Sequence, residues 1–325
     1  MAEQFPERPG RDLLVQVSLV ESEFAVCKSR LLTSLNGFLG RFAGRISILV
    51  VYQTDRGIAP AELAALTAAA AVELQTTSRF SVSCARNRGI EKALREGFRY
   101  LLFHDAQVFY TPSFWAMIER TLADDLPICL GRLEWREPTA ADAAVGEAEG
   151  GRVGRFRKVP PDPVGRAYVW AYLFRVSRLG EVRFSESIGP GRDSLLNAGE
   201  DILFLYQLFR RQARPVSIAY FPAAMVLHPP RPADFSKHFE YAWAQGALFR
   251  LLWLRHFRFP GFFALYLLLF LLAAFGRVLL LRKNSLGTLR QFLRGFRRGK
   301  GLRELCRKSR RSRRTVVTSS DQPPR

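Results

Sequence analysis

Short runs rich in Val and Ile alternate with helix-patterned segments over the first 110 residues, and this alternation constrains the fold more than any other feature. DLLVQVSLV (Asp12–Val20) and RISILVVY (Arg45–Tyr52) are almost continuously apolar, as expected of strands buried on both faces. Between them, CKSRLLTSLNGFL carries Leu31, Leu32, Leu35 and Phe38 at helical spacing. PAELAALTAAAAVEL (Pro60–Leu74) reads as a helix, with Pro at its start and an acid in its first turn. A further helix, ARNRGIEKALREGF, leads into a third apolar run, RYLLFHDAQVFY. Strand, helix, strand, helix, strand predicts an α/β fold built on an open sheet flanked by helices. Ligands of such sheets bind beyond the carboxyl ends of the strands, here near Tyr52–Asp55 and His104–Gln107.

The remainder is less regular. Residues 137–155 are rich in Ala, Gly and Glu and read as a flexible loop. FSESIGPGRDSLLNAGEDILFLYQLFRR holds a Gly-rich turn that enters a helix, and ARPVSIAYFPAAMVLHPP reads as a strand pair. The net charge of +20 requires a polyanionic partner. Fourteen Lys/Arg against one acid lie between Arg282 and Arg314, which leaves about +7 for the rest. No RNP, helix-turn-helix or zinc pattern accompanies that charge, so nucleic acid is not the expected partner. Cys27, Cys84, Cys129 and Cys306 lack metal-binding spacing and are expected to be free thiols. The N-terminus has no signal-peptide pattern.

Four segments, in order, resemble those of the family-two glycosyltransferases with a GT-A fold, particularly polysaccharide-building members. They are SVSCARNRGIEKAL, YLLFHDAQVFYTP, FSESIGPGRDSLLNAGEDILFLYQL and YFPAAMVLHPPR followed by Gln245–Gly246. The likeness runs from about Leu14 to Gln245. It implies an inverting transfer from a nucleotide-sugar donor to a glycan or lipid-linked acceptor. By the resemblance Asp201 is the general base and Glu200 orients the acceptor. Asp105, with Gln107 and His228, would serve a divalent cation, Mg²⁺ or Mn²⁺. Gln107 departs from the pattern, since the family usually carries a second acid there. Arg86 and Asn87 suit a diphosphate at a helix start. Gly189 and Gly191 would let backbone approach a sugar. Gln53 or Asp55 would meet the nucleobase, although the family's usual Asp is not evident. These departures also fit a catalytically inactive GT-A scaffold of a polysaccharide-assembly complex.

The expected organisation is a catalytic domain over residues 1–245, an apolar membrane-associated segment over 246–282 and a basic tail over 283–325. Phe259–Gly276 is eighteen residues without a charge, marginal for a span. A single crossing would put the basic tail outside, so a re-entrant or interfacial segment at the cytoplasmic face of the inner membrane is expected. Leu289, Phe292, Leu293 and Phe296 share one face of a basic amphipathic segment suited to anionic lipid.

Overall fold

The computed structural model describes residues 12–139, 142, 154–163, 165–212, 217–230, 236–255, 268–269, 271–273, 275–276, 278–280 and 284–299. Most of the loop expected at 137–155, the apolar run up to residue 267, and the tail from residue 300 with Cys306 lie outside them. The chain divides into two compact units, residues 1–194 with 200–231 and residues 195–199 with 232–325.

The first unit is built on a nine-stranded mixed sheet flanked by helices. Its parallel half comprises β1 (Leu13–Val20), β2 (Ile46–Gln53), β3 (Val72–Thr77) and β4 (Tyr100–Asp105), ordered β3-β2-β1-β4. Leu13, Leu14, Val15, Val17 and Leu19 of β1 have no exposed surface. That explains an apolar run without alternation: both faces of the strand are covered. Helix α1 (Glu21–Arg41) buries the stripe Phe24, Cys27, Leu31, Leu35 and Phe38, spaced three or four residues apart. The other helices of this half are α2 (Ala61–Leu66) and α3 (Val82–Glu96). Because β1, β2 and β4 run parallel, Val20, Gln53 and Asp105 end on one edge of the sheet.

Beyond β4 the sheet turns antiparallel. β5 (Phe109–Tyr110), helix α4 (Pro112–Asp124), β6 (Ile128–Trp135), β7 (Arg157–Val159), β8 (Tyr172–Arg175), helix α5 (Glu200–Arg211) and β9 (Ile218–His228) follow in the chain. β8 lies antiparallel between β4 and β6, and β6 pairs in parallel with β9. Two expectations are corrected. The helix read over Pro60–Leu74 stops at Leu66, and Val72–Thr77 instead pairs with β2. The β-branched Val72, Thr76 and Thr77 gain strand hydrogen bonds that outweigh the helix propensity of the Ala run. Residues 218–228 form one strand with a register irregularity, not a pair.

In the second unit, helix α6 (Ser236–Arg255) packs against helical residues 285–299. A β-carbon on Gly246 would stand 2.0 Å from the Phe292 carbonyl oxygen, and one on Gly295 would stand 1.9 Å from that of Trp243. The helices therefore meet backbone to backbone. Phe292 is buried and its ring lies 6.0 Å from that of Phe249. The face expected to enter lipid is thus partly spent on helix packing, while Leu286 and Leu293 remain exposed. Among the described residues no helix is long and apolar enough to cross a membrane. Among the described residues, Cys27, Cys84 and Cys129 form no disulfide with one another.

Candidate active site

The first functional residue stands where the parallel strands end. Asp105 closes β4, and one of its carboxylate oxygens accepts the Gln107 amide at 2.8 Å, a turn that holds the side chain in place. His104 beside it is buried. Its Nδ1 meets the Asp105 carbonyl at 2.7 Å and its Nε2 meets the Ser34 hydroxyl at 2.8 Å. Burial pushes the imidazole down to about 4, so near neutral pH it is an uncharged brace fixing the strand end to α1. Arg30 of α1 donates to the Gln107 carbonyl at 3.1 Å.

Arg86, Glu200 and Asp201 meet in the interior. Helix α3 begins at Val82, capped by the Ser81 hydroxyl, which accepts the Cys84 amide at 3.3 Å. Arg86 and Asn87 thus lie one turn inside the helix and not at its opening. Arg86 is 5% exposed. Its Nη1 reaches Asp201 at 2.6 Å and Glu200 at 3.3 Å. Its guanidinium carbon lies 5.2 Å from the centre of the Phe184 ring. The other Asp201 oxygen accepts the Val169 amide at 3.3 Å. The two acids open α5, and Phe204 one turn later stacks on Phe184 with centroids 4.0 Å apart. Phe103 of β4 meets both rings edge-on, tying the start of α5 to the strand that carries Asp105.

Two carboxylates share one guanidinium here, and the charge of Asp105 acts on it from farther off. Burial, then the charge of Asp201, raises the Glu200 carboxyl; Arg86 opposes both. Burial also raises Asp201, again against Arg86, with a smaller push from the charge of Asp105. Arg86 stays protonated because the two acids outweigh its own desolvation. The paired acids therefore bind protons more readily than free carboxylates do.

Several expected ligand contacts are taken up by the chain itself. The Asn87 side chain accepts the Phe184 amide at 2.8 Å and donates to its carbonyl at 3.0 Å, clamping the turn before Ile188. Gly189 and Gly191 have φ of 120° and 132°. A β-carbon on Gly191 would stand 2.2 Å from the Phe80 carbonyl oxygen, and one on Gly189 2.8 Å from the Ser83 hydroxyl. The close approach these glycines allow is to α3 and its entry. The Val82 amide donates to Pro190 at 3.0 Å across the same contact.

At the end of β2, Gln53 has no exposed surface, and neither its side-chain nitrogen nor its oxygen has a partner. An unpaired buried amide costs about 1–3 kcal/mol, which a ligand could recover. Asp55 nearby is exposed and paired with Arg192, whose guanidinium lies 3.9 Å over the Phe80 ring. Nothing in the sequence pattern singled out Arg192 or Phe80.

His228 lies at the end of β9 among aromatic rings. Its imidazole is 4.6 Å from Trp135 and 5.5 Å from Trp170 between centroids, and its Nδ1 meets the Pro229 carbonyl at 2.7 Å. Among the described residues no three His, Cys, Asp or Glu side chains are grouped to hold a metal ion. Of the expected set, Asp105 and Gln107 sit together at the end of β4, and His228 ends β9. Asp105 supplies one hard oxygen donor, enough for a cation that takes its other ligands from a diphosphate and water.

No protein-family model and no curated protein matches the sequence. Solved structures of similar chain path include S. aureus TarS residues 1–349, with a TM-score of 0.48 and 12% identity, over 74% of this chain and 64% of that one. GalNAc-T7 with UDP, GalNAc and Mn²⁺ has a TM-score of 0.47 and 12% identity, over 73% of this chain and 48% of that one. The mannosyltransferase PcManGT from Pyrobaculum calidifontis, with GDP-Man and Mn²⁺, has a TM-score of 0.46 and 12% identity, over 77% and 66%. This chain thus spans less than two thirds of each of these three. Likeness at this level concerns the path of the backbone and leaves the reaction to the site.

Proposed function

We propose that this chain is an inverting glycosyltransferase that moves a sugar from a nucleotide-sugar donor to a hydroxyl of a glycan or lipid-linked glycan. The observation that carries the reading is the buried Arg86–Glu200–Asp201 cluster, on helices α3 and α5 of the unit whose parallel strands end at Gln53 and Asp105. Asp201 takes the proton of the acceptor hydroxyl while that oxygen bonds to the anomeric carbon. The bond from that carbon to the diphosphate breaks, and the diphosphate leaves with the electron pair. One displacement from the opposite face inverts the centre, unlike hydrolysis through paired carboxylates. Arg86 keeps Asp201 ionised and fixed until the proton arrives, and Glu200 orients the acceptor. The unpaired Gln53 amide offers a donor and an acceptor to the nucleobase. A divalent cation held by Asp105 and the side-chain amide oxygen of Gln107 would neutralise the leaving diphosphate when bound. Work on a lipid-linked acceptor fits a position at the cytoplasmic face of the inner membrane, with the basic C-terminal region toward anionic headgroups.

One observation favours the second reading, an inactive scaffold with this fold: both Asp201 oxygens already accept hydrogen bonds from the chain. The test that separates them uses purified protein with UDP-, GDP-, CMP- and dTDP-sugars and a membrane lipid extract as acceptor source, reading nucleotide release and glycan product. The wild type consumes one donor class, and Asp201→Asn lowers transfer by roughly 10²–10⁴-fold while donor affinity stays nearly unchanged. Near-normal turnover by that variant removes Asp201 as the base, and no turnover of any donor by the wild type favours the scaffold.

A further inference from the structure

We propose that Trp135, Tyr168, Trp170 and His228 form a stacking platform for the pyranose rings of the acceptor glycan. This deepens the transferase reading and rests on it for the choice of ligand. The four side chains come from the end of β6, the short turn before β8 and the end of β9. β6 and β9 pair in parallel and set Trp135 opposite His228. Centroid separations are 4.6 Å for Trp135–His228, 5.5 Å for Trp170–His228, 5.8 Å for Trp135–Tyr168 and 5.4 Å for Tyr168–Trp170. Each ring touches two others, so the group is held by its own packing.

The core accounts for only part of this cluster: Trp170 belongs to it and Tyr168 packs against it, while Trp135 does neither. Trp170 is buried, yet Trp135 is 39% exposed and lies outside the main core. Tyr168 and His228 are half-buried. With Trp135 partly exposed, the cluster presents aromatic surface with a polar rim. A pyranose presents the complementary surface: a patch of axial C–H groups, polarised positive, with hydroxyls around its edge. The negative face of an indole ring attracts such C–H groups. The Tyr168 hydroxyl and the Nε2 of His228 supply polar atoms beside the rings. His228 Nδ1 is already engaged with the Pro229 carbonyl, which fixes the ring plane and leaves Nε2 for a sugar hydroxyl.

The link to chemistry runs through a single residue. Val169 stands between Tyr168 and Trp170 in the chain, and its amide donates to Asp201 at 3.3 Å. Rings and base are thereby coupled across three consecutive residues. A sugar stacked on the platform would have its next hydroxyl near the carboxylate that must deprotonate it. In this role His228 is a sugar contact and not a metal ligand.

The experiment titrates the full chain, without donor, with cellopentaose, chitopentaose and mannopentaose. Binding is read by Trp fluorescence and by saturation-transfer NMR on the glycan protons. At least one glycan binds, with the strongest saturation at ring C–H protons. Trp135→Ala weakens that binding about tenfold, the scale of one lost aromatic stack, and Trp135→Phe restores most of it. Trp135 is partly exposed, so both variants are expected to fold, which circular dichroism checks. Tyr168→Ala serves as a second variant. Equal binding by wild type, Trp135→Ala and Tyr168→Ala overturns the platform, as does no binding of any of the three glycans at millimolar concentration. The two readings fail differently. If the wild type transfers sugar and Trp135→Ala does so with unchanged acceptor KM, the platform falls and the transferase stands. If glycan binds through Trp135 and no donor is consumed, the transferase falls and the platform stands.

Discussion

Glu200 and Asp201 lie where an acid is least comfortable, and that discomfort makes them testable. Burial raises both carboxyls against the pull of Arg86. A base must be ionised to act, so transfer should rise with pH through the pair's shared titration, above the ordinary carboxylate value of about 4. A pH–rate profile with its acid limb at the ordinary value contradicts this. Stability carries the opposite sign. The native pair binds protons more tightly than the unfolded chain does. Its contribution is therefore fully present below the unfolded pKa of about 4 and is lost as pH rises through the higher native value. Glu200→Gln removes one desolvated charge, so it should raise Tm on the alkaline side of that window and change it little at about pH 4. A variant less stable than wild type at alkaline pH would show that the Arg86 contact outweighs burial. Gln107→Asp tests the strand end, because a second acid two residues from Asp105 should make donor affinity more dependent on Mn²⁺. Calorimetric titration of donor with and without Mn²⁺ reads this, and an unchanged ratio removes the cation from β4.

The acids and Arg86 were legible in the sequence because they fall in the ARNRG and GED segments that carry the family resemblance. The partnership among them was not, since residues 86 and 200 are joined only by the fold. The rings around His228 were illegible for the same reason: Trp135, Tyr168 and His228 come from three separate segments.

At the scale of elements, the loop from Phe184 to Asp193 decides whether α5 meets α3 correctly. The Asn87 clamp, the Val82–Pro190 hydrogen bond and the Asp193 carboxylate, which accepts the Phe80 amide at 2.8 Å, hold it down. Gly191 is the tightest point. An alanine there must adopt φ near 132° and place its β-carbon against the Phe80 carbonyl. Gly191→Ala should cost about 1–3 kcal/mol in chemical denaturation. Gly154→Ala, with no neighbour within 4 Å and no positive φ, is the control and should change little. Equal midpoints for the two variants would mean that the loop gives way without cost. Turn residues announced this loop, but its target was hidden. The Ala run after Pro60 misled in the other direction: local propensity favoured helix, and the open edge of β2 claimed Val72–Thr77. The antiparallel insertion of β8 between β4 and β6 left no mark in the pattern, because a buried central strand reads alike in either direction.

For the whole molecule the question is what its positive charge meets. The chain carries +20, concentrated toward the C-terminus. Within the second unit, helical residues 285–299 expose Arg290, Arg294, Arg297 and Arg298 together with Leu286 and Leu293. Phe292 is committed to packing against α6, so apolar insertion by this helix is limited and charge must carry more of any attachment to lipid. Each Lys or Arg near an anionic surface is worth about 1 kcal/mol, so changing all four arginines to Gln should weaken binding to anionic vesicles by roughly one to two orders of magnitude even with partial engagement. The effect should vanish at about 1 M salt, where the Debye length falls to about 3 Å. It should also vanish on neutral vesicles, because no surface potential remains to attract the arginines. Flotation of full-length wild type and quadruple variant with phosphatidylglycerol-containing and pure phosphatidylcholine vesicles, at low and high salt, reads all four conditions. If the variant floats with anionic vesicles as well as wild type does at low salt, these arginines face something other than lipid, and attachment must come from elsewhere in the chain.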